Sequence, residues 1–378
     1  MKPIETLGYF QSQQAEMLQL LLKWVELESP TTDKPSVDRF GEEVASTLGN
    51  LGMSIDFDMQ SSRGNHLVAR WIGKGSRILL LGHLDTVWEL GTLTRMPART
   101  ENDTAYGPGI FDMKGGIVTG LFALQLLREH GLHHSNLTWI LNSDEEEGSE
   151  TSRDLIEREA RCCACVFVLE PAGPQNGIKT QRRGVGQYKI TAGGRAAQAG
   201  VDPEKGVSAI EELSRQIIQI QDWNRQRAGV SINAGVMKGG TRSNVIPAEA
   251  QVIVDVRCDS PEDMDWARAR FRSLQPKHPE ARLIVDGDID RPPMVRTETS
   301  LALYNEAAAI SESFGYPAHE FWTGGASDGN FTAALGVPTI DGLGAEGAGA
   351  HADHEQVIVS ALPKRANLLY HLLRNHLP

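Results

Sequence analysis

The chain has 378 residues, 40% hydrophobic and 23% charged, which excludes bulk disorder and suits about two to three folded domains. Lysine and arginine number 37 against 49 aspartates and glutamates, for a net charge of −12. That balance argues against non-specific binding to nucleic acid or anionic membrane, because both need excess positive charge.

The N-terminal segment is polar throughout and lacks a signal-peptide core, and no apolar run is expected to span a bilayer. Met17, Leu18, Leu20, Leu21 and Trp24 predict one face of an amphipathic helix. RILLLGHLD (77–85) predicts a strand buried on both faces. GGIVTGLFALQLLREHG (115–131) follows as a helix, with Ile117, Leu121, Leu124 and Leu127 on one face and Gly131 closing it. LTWILNSDEEEG and ACVFVLEP predict a second and a third buried strand. Cys162, Cys163 and Cys165 cluster at the start of the third, and Cys258 stands apart. No second CxxC or HxxxH half accompanies them, so they read as small hydrophobes in a cytoplasmic protein. Strands alternating with helices indicate an α/β domain with a mostly parallel central sheet.

The pattern changes near Gly184. GVGQYKITAGG and EAQVIVDVRC alternate apolar with polar, as in a sheet with one face buried. A helix (Val207, Ile210, Leu213, Ile217, Ile220) and a strand near VSINAGVM lie between them. A helix capped by Ser260 and Pro261 and a strand near ARLIVDG follow. The order β-α-β-β-α-β is that of a small split sandwich. From about Thr297 the α/β pattern returns: helix, strand (HEFW), helix, strand (PTIDGL) and a final helix. The expected architecture is an α/β catalytic domain (1–183 and 297–378), interrupted by an inserted α+β domain (184–296).

Ligands in open α/β sheets gather at the carboxyl ends of the strands. The polar residues expected there are His83 and Asp85, Asp144 to Glu147, Glu170, and His351 after GLGAEGAGA, with Asp112 in the loop GPGIFDMKGG. His83 and Asp85 point to one side of an extended strand, so one can ligate a metal while the other orients it. Packed carboxylates at the end of a buried strand repel one another, and a dication resolves that conflict. His83, Asp112, Glu146, Glu170 and His351 together can hold two zinc ions, with one carboxylate bridging. Such a pair activates water, and a spare carboxylate can take the proton. A phosphate-binding reading of GAEGAGA fails, because no GxxxxGK[ST] is present and the glycines open no helix after a first strand.

The motifs GHLDTV (82–87), GPGIFDMKGG (107–116), SDEEEGS (143–149), VLEP (168–171), RSNVIPAEA (242–250) and GAHADHE (349–355) resemble, in order, the co-catalytic zinc aminoacylase and carboxypeptidase family. That family includes glutamate carboxypeptidase, acetylornithine deacetylase and succinyl-diaminopimelate desuccinylase. The resemblance is greatest to glutamate carboxypeptidase, through DEExGS followed by SRDLI and through TGG–SD–N/A near 323–330. It implies two Zn²⁺ per chain, with Co²⁺ or Mn²⁺ as substitutes. His83 would bind one ion and His351 the other, Asp112 would bridge, and Glu146 and Glu170 would each complete one site. Glu145 would be the general base and Asp85 would orient His83. The insert would act as a lid and as a homodimer surface. In it, Asn244 would face the substrate, and Arg257 and Arg291 are candidate clamps for its carboxylate. Gly324, Gly325 and Ser327 are candidate donors to the same carboxylate.

One departure stands out. GRAAQAG carries Gln198 where the resemblance implies a histidine that donates to the developing oxyanion, often from the partner subunit. A Gln amide donates a hydrogen bond but carries no charge. The implied reaction is cleavage of the amide bond of an N-acyl amino acid or small peptide, releasing an acidic C-terminal residue. The alternatives are an acetylornithine- or succinyl-diaminopimelate-type deacylase, a dipeptidase, or a weakly catalytic metal-bearing binding protein.

Overall fold

The computed structural model describes residues 2–378. Two compact units are present. One comprises residues up to 181 with 296–323 and 327–378, and the other comprises 182–295 with 324–326.

The first unit opens with α1 (Pro3–Ser12), α2 (Gln14–Val25) and α3 (Lys34–Asn50). The α2 face that packs inward is Met17, Leu21 and Trp24, with Leu18 and Leu20 at its margin. Strands β1 (Ser54–Asp58), β2 (His66–Trp71) and β3 (Lys74–His83) follow, then the short β4 (Arg99–Glu101) and β5 (Thr104–Tyr106). Next come α4 (Gly115–Glu129), β6 (Ser135–Asn142), α5 (Arg153–Ala160), β7 (Cys163–Val168) and β8 (Gly177–Arg182).

The second unit contains β9 (Gly184–Gly193), β10 (Ala197–Gln198), α6 (Ala209–Asp222), β11 (Val230–Gly239), β12 (Val245–Ile246), β13 (Glu249–Cys258), α7 (Pro261–Arg272) and β14 (Arg282–Arg291). Its sheet order is β11-β13-β9-β14, antiparallel throughout. Val252, Val254 and Val256 of β13 face its core, as their alternation dictates. Ser260 caps α7 by accepting from the Asp263 amide.

The chain then returns to the first unit with α8 (Glu298–Glu312), β15 (His319–Thr323), α9 (Gly329–Ala334), β16 (Thr339–Ile340), β17 (Gly347–Ala348), β18 (Gln356–Ile358) and α10 (Leu362–His376). The central sheet runs β1-β2-β6-β3-β7-β16. Its β6–β3, β3–β7 and β7–β16 pairings are parallel, and β1 and β2 add an antiparallel margin.

Three features depart from the sequence reading. The HEFW strand, β15, pairs with β8 in a separate two-stranded sheet rather than with the central one. A further sheet, β17-β18-β5-β4, joins segments far apart in sequence. The helical stretch Ile110–Glu129 is long and apolar enough to cross a membrane, contrary to the expectation that no such run exists. Its residues are largely buried, because it packs as a core helix and not along a single face. Gly116 and Gly120 make that packing possible. A Cβ at Gly116 would meet the Leu169 carbonyl oxygen at 2.1 Å, and one at Gly120 would meet the Trp139 ring at 2.6 Å.

Candidate metal centre

Strands β6, β3 and β7 are parallel neighbours, so their carboxyl ends lie side by side. His83 ends β3, Asp144 to Glu147 follow β6, and Glu170 follows β7. Asp112 lies in the turn before α4, where the Asp112–Met113 peptide is cis. His351 comes from the loop between β17 and β18, with φ of 61°.

These five side chains form two groups that share Asp112. One is His83, Asp112 and Glu170, and the other is Asp112, Glu146 and His351. Asp112 Oδ1 lies 3.2 Å from His83 Nε2, and its Oδ2 lies 3.3 Å from His351 Nε2. Glu170 Oε1 is 3.4 Å from His83 Nε2, and Glu146 Oε2 is 3.1 Å from His351 Nε2. Each carboxylate oxygen of Asp112 thus serves a different histidine.

The electrostatics call for positive charge. Burial opposes a charged His83, but hydrogen bonds to Asp112, Asp85 and Glu170 outweigh it and hold its pKa well above the usual value. Bonds to Asp112 and Glu146 push His351 up to about 11. Burial is the largest influence on Asp112, yet the two histidines prevail and keep its carboxyl far below the usual range. Burial and the Asp112 charge push Glu146 up to about 8, against the His351 hydrogen bond. Burial and Asp112 also raise Glu170. Without a cation, protons must balance the carboxylates. Glu146 Oε1 is moreover buried without a hydrogen-bond partner. Imidazole nitrogens with carboxylate oxygens, grouped within ligand reach, fit divalent metal binding in chemistry and in charge.

Asp85 is buried and does more than the sequence reading gave it. His83 Nδ1 is 2.9 Å from the Asp85 backbone carbonyl and 3.4 Å from its carboxylate. The carboxylate accepts from the amides of Glu145 (3.3 Å) and Glu146 (3.2 Å) and from Thr31 Oγ1 (2.8 Å). It therefore holds the DEEE turn as well as the imidazole. Glu145 belongs to neither ligand group, but its charge adds to the repulsion on both Glu146 and Glu170.

The second unit brings Gln198 and Asn244 together. Gln198 pairs with Val245 across β10 and β12, and the Ala199 amide donates to the Asn244 carbonyl at 3.0 Å. Gln198 Oε1 accepts from the Gly200 amide at 2.6 Å, which leaves the Nε2 end as the donor. Arg257 donates from Nε and Nη2 to the Asp255 carboxylate, both at 2.9 Å. Arg291 is buried at the end of β14. Gly324 and Gly325 are exposed, and Gly325 accepts from Arg182 at 3.2 Å. Ser327 has hydrogen-bond partners within its own unit. It is fully buried, its hydroxyl donates to Asp341 at 2.5 Å, and its amide donates to Asn330 at 3.0 Å.

Two residues around the centre had no role in the sequence reading. Glu355 ends the GAHADHE motif and receives hydrogen bonds from the Asp112 turn. Lys114 is fully buried, and burial pushes its amine down to about 7. Its Nζ donates to the carbonyls of Trp24 (3.0 Å) and Leu27 (2.7 Å) at the end of α2, which anchors the turn from below. A lone lysine inside the apolar stretch IFDMKGGIV was the available signal.

A mostly parallel α/β sheet with a histidine–carboxylate cluster at its carboxyl ends defines a metal-dependent hydrolase. Residues 79–375 match the model of peptidase family M20/M25/M40, and the chain belongs to that family of metallopeptidases and amidohydrolases. It is 34% identical over 371 residues to carboxypeptidase G2 of Pseudomonas sp. (strain RS-16), spanning 96% of this chain and 89% of that one. It is 25% identical to the succinyl-diaminopimelate desuccinylase of Hahella chejuensis, over 92% of this chain and 96% of that one. The crystal structure of the aminopeptidase PepT from Bacillus cereus superposes with a TM-score of 0.81 at 21% identity, covering 96% of this chain and 98% of that one.

Proposed function

We propose that the protein is a di-zinc hydrolase of N-acyl amino acids or small peptides, similar to glutamate carboxypeptidase and releasing an acidic C-terminal residue. The observation that carries this reading is Asp112, whose two oxygens face two different histidines. His83, Asp112 and Glu170 would hold one ion, and His351, Asp112 and Glu146 the other. When bound, such a pair polarises a carbonyl and lowers the pKa of water. The chain's own residues do the rest. Asp85 fixes the His83 ring and the turn carrying Glu145. Glu145 takes the proton from the attacking water and passes it to the leaving amine nitrogen. Gln198 Nε2 and Asn244 donate to the carbonyl oxygen as it gains charge. Arg291, with Gly324 and Gly325, receives the free carboxylate of the substrate.

Residues 184–296 are proposed as the lid and the homodimer surface. Supporting this, β11 is an edge strand with Val236 and Met237 exposed. A cytoplasmic location is supported by four free cysteines.

The test is amino-acid release from a panel of N-acyl amino acids and dipeptides, using zinc-reconstituted protein and a chelated control. Release should be chelator-sensitive and greatest for C-terminal glutamate or aspartate. No release from protein shown to hold its metal would overturn the reading. Gln198 gives a second test. Gln198→Ala should lower kcat on the order of 10²-fold with little change in KM, as for loss of one oxyanion donor. Gln198→His should change kcat by less than that. A gain of two orders or more would instead favour a weakly catalytic binding protein.

A further inference from the structure

Glu355 is buried just before β18, and its carboxylate gathers four donors from two distant segments. Oε1 accepts from the amides of Phe111 (2.9 Å) and Asp112 (3.0 Å). Oε2 accepts from the amide of Gly109 (2.9 Å) and from Trp88 Nε1 (2.7 Å). A carboxylate so used spends its whole acceptor capacity on geometry. The first three bonds fix the turn that aims Asp112. The fourth fixes Trp88, which lines a cavity of about 500 Å³ with Val87, Leu90, Arg95 and His351. Glu355 also follows His351 on the same loop, so it ties that loop to the Asp112 turn.

We propose that Glu355 is a positioning residue that seats Asp112 for metal binding and, through the same carboxylate, the Trp88 indole that walls the cavity beside His351. The inference rests on the metal-hydrolase reading above. A purely structural buried carboxylate would lower the stability of the metal-free chain but leave the metal affinity of the folded protein unchanged. A positioning carboxylate must change that affinity, because outer-shell partners of metal ligands typically contribute 10–100-fold.

The experiment is zinc affinity, by competition with a chromophoric chelator, for the full chain and its Glu355→Gln and Glu355→Asp variants. Melting of each metal-free protein reports whether it folds. Glu355→Gln sets an amide donor against backbone donors, and Glu355→Asp keeps the charge but is one methylene short. Both should bind zinc about 10–100-fold more weakly, and excess zinc should restore part of the kcat. Trp88→Phe, which removes the indole donor and part of the ring but leaves Glu355 its three backbone amides, should keep wild-type zinc affinity and raise KM. Wild-type affinity in either folded Glu355 variant overturns the proposal, and so does failure of both to fold. Wild-type protein that binds no zinc would instead overturn the hydrolase reading itself.

Discussion

Glu145→Ala is expected to keep wild-type metal content and to lower kcat by about 10²–10⁴-fold, the range for loss of a general acid–base group. The geometry separates the two effects. Glu145 is in neither ligand group, while its neighbour Glu146 lies 3.1 Å from His351. The amides of both donate to Asp85, so the turn is held by its backbone and survives truncation of one side chain. Removing the Glu145 charge also relieves repulsion on Glu146 and Glu170, which leaves the remaining ligands no worse placed. Elemental analysis of dialysed protein alongside steady-state kinetics checks both halves. Unchanged turnover would remove Glu145 from the mechanism.

Asp112→Ala is expected to empty both ligand groups and abolish turnover, whereas His351→Ala should empty only one. Asp112 is the shared member, with one oxygen toward each histidine, so its loss leaves each group with one histidine and one carboxylate. Its affinity loss should exceed the 10–100-fold typical of an outer-shell partner. His351→Ala leaves His83, Asp112 and Glu170 in place. Metal content per chain after dialysis separates the two variants. Two ions retained by Asp112→Ala would show that the carboxylate does not bridge.

The local physics of the chain was legible in its sequence. The apolar run before His83 can only be a buried strand, and the alternation of Val252, Val254 and Val256 only a half-buried one. Ser260 followed by Pro261 announces a helix start. The antiparallel strands β1 and β2 escaped the reading. SIDFD pairs with HLVARW across the loop 59–65, whose Ser61, Ser62, Gly64 and Asn65 mark a turn without naming the strands it joins to the sheet. HEFW was recognised as a strand, but its pairing with β8 in a separate sheet was not, because strand propensity does not specify which edge is free.

The candidate centre divides in the same way. Its chemical membership was written in the sequence, since few residue types can bind a metal and they stood at predicted strand ends. Residue type alone could not say which donors were already taken. Arg257 and Ser327 have the right chemistry for a carboxylate, but Asp255 and Asp341 occupy them. Glu355 has the chemistry of a ligand and is spent on backbone amides instead.

What the sequence determined by itself, then, was the periodicity of its elements and the identity of its histidines and carboxylates, because both depend on neighbours a few residues away. Only the tertiary structure decided that Asp112 would stand between His83 and His351, and that Glu355 would close the turn beneath it, across sequence separations of 29 and 243 residues. Those contacts are chosen when β3, β6 and β7 align and when β18 joins β5, and that choice belongs to the packing of the whole chain rather than to any segment of it.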